Sequence, residues 1–336
     1  MKAYAVSRYG KNERLQLTEQ KVPEVGENDV LVKIHAAGLN LLDAKIRDGE
    51  FKLILPYKMP LTLGHDVAGV VTKVGSKVSR FKAGDEVYSR PSDFKIGTFA
   101  EYIAIDEADV AFKPKNLTME EAASIPLVGL TAWQAIVEEA KLKAGQKTFI
   151  QAGSGGVGTI AIQLAKHIGA TVATTASEKS FAMLKSLGAD VLIDYKKEDF
   201  EQILKGYDLV INSQESKTLG KSLNVLRPGG KVISISGPPT RKFAVDMNLP
   251  WFLKLAMGLL SRGVLKTAKK LGVDYSFLFM KANGTQLSEL TKLIEAGAIL
   301  PVMDRIYPLA EINEALSYVE SGRAKGKVVV KMRNSQ

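Results

Sequence analysis

Residues 148–168 read TFIQAGSGGVGTIAIQLAKHI. The run from Thr148 to Gln151 is short, β-branched and aromatic, which predicts a strand. From Thr159 to Ile168, Ile160, Leu164 and Ile168 recur at i, i+4 and i+8, the spacing that lines one helical face. Between strand and helix stands Gly153-Ser154-Gly155-Gly156-Val157-Gly158, a G-x-G-x-x-G. Such a turn is common in isolation, and the flanking strand and helix are what give this one meaning. Gly153 permits the tight turn, Gly155 lets the backbone approach a pyrophosphate, and Gly158 allows helix and strand to pack closely. The helix N-terminus then offers free N–H groups to the anion. Gly153, Ser154, Gly155, Gly156, Val157 and Gly158 are therefore the first candidate cofactor-binding residues.

Working outward, the same alternation continues. Short apolar runs at Thr171 to Thr175, Val191 to Ile193, Leu209 to Ile211 and Val232 to Ile235 are separated by helical stretches, the pattern of a parallel sheet with helices on its faces. Before Pro126 the chain reads differently. Val30 to Ile34, Val67 to Val74, Glu86 to Tyr88 and Phe99 to Ile105 are strand-like runs punctuated by Gly26, Gly75-Ser76, Gly84-Asp85 and Gly97, which predicts a small β-rich, barrel-like fold. From about Lys281 mixed character returns, with a helix around Gln286 to Ala296 and a closing strand Lys327 to Met332. The expected class is α/β. A doubly wound nucleotide domain over 126–280 is inserted in a β-rich domain made of 1–125 and 281–336.

The chain has 336 residues, 46% of them apolar and 24% charged, the composition of an ordinary globular protein with two domains. It contains no Cys, which excludes disulfides, thiolate metal sites and a cysteine nucleophile. The net charge of +10 is spread along the sequence, densest at Lys266, Lys269 and Lys270, and no nucleic-acid partner is expected from it. MKAYAVSRYG has no apolar stretch of signal-peptide length, so a cytoplasmic protein is expected. The most apolar window, Leu249 to Leu260, contains Lys254 and falls short of a membrane span. It reads as a core or interface helix, or at most a segment lying on a surface.

An acid about 20 positions beyond the first loop glycine would hold the ribose 2′-hydroxyl of NAD. Positions 171–177, TVATTAS, hold no acid. Ser177 and Lys179 follow instead, a hydroxyl and a cation suited to a 2′-phosphate, and NADPH is the expected cofactor. Two alternatives stay open. Glu178 could turn toward the ribose, or Ser177 could cap a helix while Lys179 is merely solvated.

Gly64-His65-Asp66-Val67-Ala68-Gly69-Val70-Val71, the AGSGGVG loop, Ala122 to Ala135 (AASIPLVGLTAWQA) and Gly322 to Val330 (GRAKGKVVV) occur in this order. Together they resemble the medium-chain dehydrogenase/reductase superfamily, more narrowly its zinc-free quinone oxidoreductase and enone reductase branch. The resemblance covers residues 1 to about 332. It implies a GroES-like catalytic domain, a Rossmann cofactor domain and a homodimer, the last paired through the sheet edge at Tyr275 to Met280, YSFLFM.

Zinc-dependent members resemble this chain around GHExxG, but here the acid is Asp66, and Asn40 stands where they carry an earlier Cys. His35, His65 and His167 are the only histidines and lie far apart in the sequence, so no metal is expected and His65 reads as a hydrogen-bonded structural residue. The resemblance places Asn40, Asp43 and Tyr57 at the substrate cleft, with Asn40 and Tyr57 as catalytic candidates. It gives the cofactor Thr131, Tyr195, Ser236, Gly237, Phe279, Lys281 and Lys327. A structural reading stands beside each: Tyr57 and Tyr195 as packing residues, Asn40 as a turn residue, Lys327 as a surface cation.

Without a Lewis acid, alcohol dehydrogenation is hard to support, whereas hydride addition to an enone or quinone yields an anion that is already delocalised. The leading expectation is an NADPH-dependent, metal-independent reductase of quinones, enones or alkenals. The alternatives are a metal-free alcohol or sugar dehydrogenase, and a cofactor-binding structural, RNA-associated or membrane-associated protein without turnover.

Overall fold

The computed structural model describes residues 1–11, 13–214 and 216–332, the side chains of 216 and 217 excepted. The chain divides into two compact units, Met1–Leu130 with Lys281–Gln336, and Thr131–Met280. The first junction falls inside the helix Pro126–Trp133, slightly beyond the expected one.

The second unit is a six-stranded, wholly parallel sheet. Its strands in chain order are Lys147–Ile150, Thr171–Ala176, Val191–Asp194, Tyr207–Asn212, Leu226–Ser234 and Asp274–Phe277, and their spatial order is 3-2-1-4-5-6. That is the doubly wound dinucleotide-binding order. Parallel strands covered on both faces must be apolar nearly throughout, which is why TFI, LVI and VIS are continuous runs. Phe149, Ala173, Val210 and Val232 are fully buried in the core beneath them. The helix Gly156–Ile168 joins the first two strands and buries Ile160, Ile162 and Leu164, so the apolar face read from the sequence packs inward. Asp274–Phe277 is an edge strand, hydrogen-bonded to Leu226–Ser234.

Two expectations need correction. Phe99 to Ile105 is not one strand, because the regular strand begins at Tyr102. Ahead of it, Phe99 donates to the Leu63 carbonyl and Ala100 bridges to Ala3, so these residues serve a different sheet from the strand that follows. From Trp251 on, the apolar window at Leu249 belongs to a 21-residue helix, Trp251–Leu271, which excludes the core reading and keeps the interface and surface ones. Only Leu253, Met257, Ser261 and Ala268 are buried.

In the first unit a seven-stranded mixed sheet is organised around the long strand Asp29–Leu39. A three-stranded sheet of Gln16–Glu19, Lys2–Val6 and Leu61–Thr62 accompanies it. Asp29–Leu39 pairs antiparallel with Val67–Val74, Tyr102–Asp106 and Lys327–Lys331. Ala36 lies opposite Ala68, and Leu39 opposite Val328. This register brings the end of one strand, at Asn40, beside the starts of two others, at Asp66 and Lys327.

Candidate functional site

Asn40 ends the central strand and is the N-cap of the helix Leu41–Asp48. Asp43, at the third helical position, reaches back so that its Oδ2 accepts the Asn40 backbone N–H at 2.8 Å. This is the reciprocal arrangement that satisfies an otherwise orphaned helix terminus. The other Asp43 oxygen lies 2.6 Å from His65 Nδ1. His65 is fully buried, and its Nε2 has no hydrogen-bond partner among the described residues. Half of the structural expectation for His65 holds, since one ring nitrogen is bonded. The other is a buried polar atom of the kind that costs ~1–3 kcal/mol and calls for a reason.

Beside this pair, the Lys327 ammonium donates to the Leu39 carbonyl at 3.0 Å, Asn40 Oδ1 at 2.6 Å and Asp66 Oδ2 at 2.9 Å. Asn40 Nδ2 also donates to Asp66 Oδ2 at 2.9 Å, and Asp66 Oδ1 accepts the Leu127 N–H at 2.7 Å. Asn40, Asp43, His65, Asp66 and Lys327 are all buried. Lys327 is therefore no surface cation. Its three hydrogens are committed within the cluster, and none is left for a cofactor phosphate in this arrangement.

The same geometry tests the group against a catalytic zinc. The cationic position beside Asn40 and Asp66 is held by the Lys327 ammonium, the Asn40 carbonyl oxygen is already an acceptor for it, and no thiolate exists to complete a ligand set. The residues do not fit a zinc ion. Among the described residues no three His, Asp or Glu side chains are grouped to hold a metal.

Tyr57 is placed apart from these hydrogen bonds. Its hydroxyl donates to the Asp93 carbonyl at 2.5 Å, and its backbone N–H donates to the Tyr9 hydroxyl at 2.9 Å. Burial first, and then the Asp93 charge, push the phenol above its ordinary range. Such a hydroxyl stays protonated and is already spent as a donor.

In the second unit the glycine loop has the expected tightness. A Cβ on Gly153 would stand 2.1 Å from Thr174 Oγ1, and one on Gly158 would stand 2.6 Å from Gly153 Cα. Both glycines are required by the fold. Gly155 differs: its nearest neighbour would be the Ala152 carbonyl at 3.3 Å, so its bare backbone is not demanded by packing to the same degree. Gly155 is the N-cap of Gly156–Ile168, where the first N–H groups lack intrahelical partners. Ser154 is buried beside it. The loop fits a dinucleotide pyrophosphate.

Ser177 directly follows the strand Thr171–Ala176 and stands at the N-cap position of a single 3-10 turn, where its side chain makes no capping hydrogen bond. Lys179 is exposed on that turn. Glu178, the alternative ribose ligand, is paired with Lys197 at 2.6 Å. The sequence reading missed Lys197, although DYKKED contains it two places after Tyr195. Tyr195 itself is 61% exposed. Ser236 is exposed and donates to the Gln214 carbonyl, while the Gly237 N–H donates to Ser234 Oγ at 2.7 Å. Phe279 stacks at 5.4 Å on Phe243, Thr131 is buried in Pro126–Trp133, and Lys281 is exposed at the start of the other unit's second segment.

A relay at the carboxyl ends of the strands was also missed. Gln151 donates to Ser222 at 2.8 Å, Asn212 to Gln151 at 2.7 Å, and Ser234 to Asn212 at 2.7 Å. All four side chains are buried. The signal was present in polar residues ending apolar strands (TFIQ, LVIN, VIS), at the sheet edge where open α/β folds bind ligands.

Comparison with known proteins agrees with this architecture. Residues 26–115 match the family described as "Alcohol dehydrogenase GroES-like domain", and residues 187–330 match "Zinc-binding dehydrogenase". The chain is 36% identical over 358 residues to the mouse (Mus musculus) protein named "NAD(P)H oxidoreductase RTN4IP1, mitochondrial", covering 98% of this chain and 89% of that protein. It is 38% identical over 344 residues to "NADPH-dependent alkenal/one oxidoreductase, chloroplastic" of Arabidopsis thaliana, covering 98% and 79%. A solved quinone oxidoreductase from Coxiella burnetii superposes with a TM-score of 0.86 at 33% identity, with 99% of each chain covered.

Proposed function

Because the chain belongs to the medium-chain dehydrogenase/reductase family, in its quinone oxidoreductase and enone reductase branch, we propose that it is an NADPH-dependent reductase of quinones or of the C=C bond of enones and alkenals. Bound NADPH supplies the hydride. The observation that carries the reading is the presence in one chain of a complete dinucleotide loop in one unit and, in the other, a buried polar cluster whose cation is Lys327. An acceptor that delocalises its own negative charge suits such a site, because it asks the protein for orientation and one good hydrogen bond.

Asn40 is the candidate for that bond. Its carboxamide oxygen accepts from the Lys327 ammonium, which polarises the amide and strengthens its N–H groups as donors. One Nδ2 hydrogen goes to Asp66, while the other has only the Gly38 carbonyl at 3.5 Å, a distance too long to hold it. That hydrogen, only weakly held, would turn from Gly38 to meet a developing enolate or hydroquinone oxygen. Asp43 holds both the Asn40 backbone and the His65 ring, which fixes the direction of the Asn40 carboxamide. Tyr57, tied to Asp93, positions the loop around residues 51–60.

Preference for NADPH over NADH is supported by Ser177 and Lys179 at the end of the second strand, and by Lys197 drawing Glu178 away. A homodimer through the open edge at Asp274–Phe277 belongs to the same reading, and light scattering that gives a monomer at micromolar concentration would remove it.

The test is NADPH consumption that depends on an added enone, alkenal or quinone. Turnover of simple alcohols with NADP+ in place of that activity would assign the chain to alcohol or sugar dehydrogenation. Binding of NADPH without either would make it a cofactor-binding protein with no turnover.

A further inference from the structure

The helix Trp251–Leu271 is 21 residues long, about 31 Å at 1.5 Å per residue. It packs inward through Leu253, Met257, Ser261 and Ala268 alone. At 100° per residue, Trp251, Leu255 and Leu259 form one outward row and Phe252 flanks it, while Leu260 lies round the side toward Leu253. All five side chains are more than half exposed, Trp251 at 75%. A contiguous exposed apolar patch of this kind marks a contact surface.

The same outward face changes character along its length. Arg262, Lys266, Lys269 and Lys270 continue the face through its second half, all exposed, and Lys254 stands half-buried at the flank of the first. No Asp or Glu occurs anywhere in the helix. The preceding helix Arg241–Asp246 adds exposed Val245 and Arg241, while its acid Asp246 is paired with Lys242.

We propose that this face docks peripherally on a bilayer surface bearing anionic head groups. Trp251, Phe252, Leu255 and Leu259 would enter the head-group and acyl boundary, and the cations of the second half would contact lipid phosphates. The charge pattern selects this occupant over a second copy of the chain. Antiparallel pairing of the helix with itself lays an apolar half on a cationic half, and parallel pairing lays cation on cation with no acid on the helix to compensate. No helix among the described residues is long and apolar enough to cross a membrane, so the contact is one of lying on the surface.

The test uses the full chain and vesicles of phosphatidylcholine with or without phosphatidylglycerol. The protein should co-sediment with the anionic vesicles and be released by high salt. Lys266→Glu, Lys269→Glu and Lys270→Glu combined should weaken that binding roughly a hundredfold. Trp251→Ser with Phe252→Ser should abolish insertion while keeping the charges. In a Trp133→Phe background Trp251 is the remaining tryptophan, and its emission should shift to the blue only with anionic vesicles. Failure of the parent chain to bind, or undiminished binding of both combined variants, would overturn the proposal. A blue shift set by protein concentration without lipid would assign the face to a second copy. Binding to polyglutamate but not to vesicles would assign it to an acidic protein.

Discussion

Lys327→Met removes the one cation of the buried cluster at nearly constant side-chain volume. Lys327 is 5% exposed, and its ammonium makes bonds of 2.6, 2.9 and 3.0 Å. Asp66 then stays fully buried with two hydrogen-bond donors, the Leu127 N–H and Asn40 Nδ2, and no counter-ion. Removing one partner of a buried ion pair costs ~3–5 kcal/mol, because the other charge is left uncompensated. For a unit of this size each kcal/mol lowers the melting midpoint by roughly 2–4 °C, so a fall of about 6–20 °C is expected in thermal unfolding.

The reasoning also predicts coupling. Asp66→Asn combined with Lys327→Met removes both charges and should recover more than half of the single-variant loss. A single-variant cost below about 1 kcal/mol, or a double-variant cost equal to the sum of the singles, would refute the cluster as an ion-paired unit. Kinetics on the surviving fold separates roles. Loss of turnover with an unchanged NADPH dissociation constant is expected if Lys327 acts through Asn40, and an equal loss of NADPH binding would make it a cofactor ligand instead.

Gly155→Ala should leave the melting midpoint within about 2 °C of the parent yet weaken NADPH binding at least tenfold, since its Cβ meets the cofactor's approach and little protein; unchanged binding in fluorescence titration would contradict the cradle. Lys179→Glu should cost NADPH ~1.5–3 kcal/mol of binding and NADH much less, and an equal loss for both would defeat the 2′-phosphate assignment. Burial, followed by the Lys33 charge, holds His35 below its ordinary range, so the folded state favours the neutral ring. The stability this gives is complete above the unfolded value of 6.5 and is lost as pH falls below it. His35→Gln should therefore flatten the decline in urea midpoint between pH 7 and 5, and an unchanged slope would assign that decline to other groups.

The parallel sheet was legible because its period-free apolar runs and one periodic helix have no other economical reading, and the glycine spacing located the tight turn between its first strand and the following helix. The polar cluster was legible only in pieces. Asn40, Asp43 and Lys327 could be named separately, but their meeting depends on the antiparallel register of Lys327–Lys331 against Asp29–Leu39, a pairing of residues nearly 300 positions apart. Nothing local marks Lys327 as buried, since a lysine opening a terminal strand ordinarily faces water. Trp251–Leu271 stayed ambiguous for the opposite reason. Its composition resembles a core helix, and only the structure shows which side its apolar residues occupy.

The central claim is that hydride reaches the β-carbon of a conjugated carbonyl, or a quinone, with no metal to activate a carbonyl oxygen. NADPH deuterated at the transferred C4 position tests it directly when the product of a simple enone is isolated and its label located. Deuterium is expected at the β-carbon of a saturated ketone, in protein treated with chelator as well as without. Deuterium on a carbinol carbon, in an allylic alcohol, would show that carbonyl reduction prevails and contradict it.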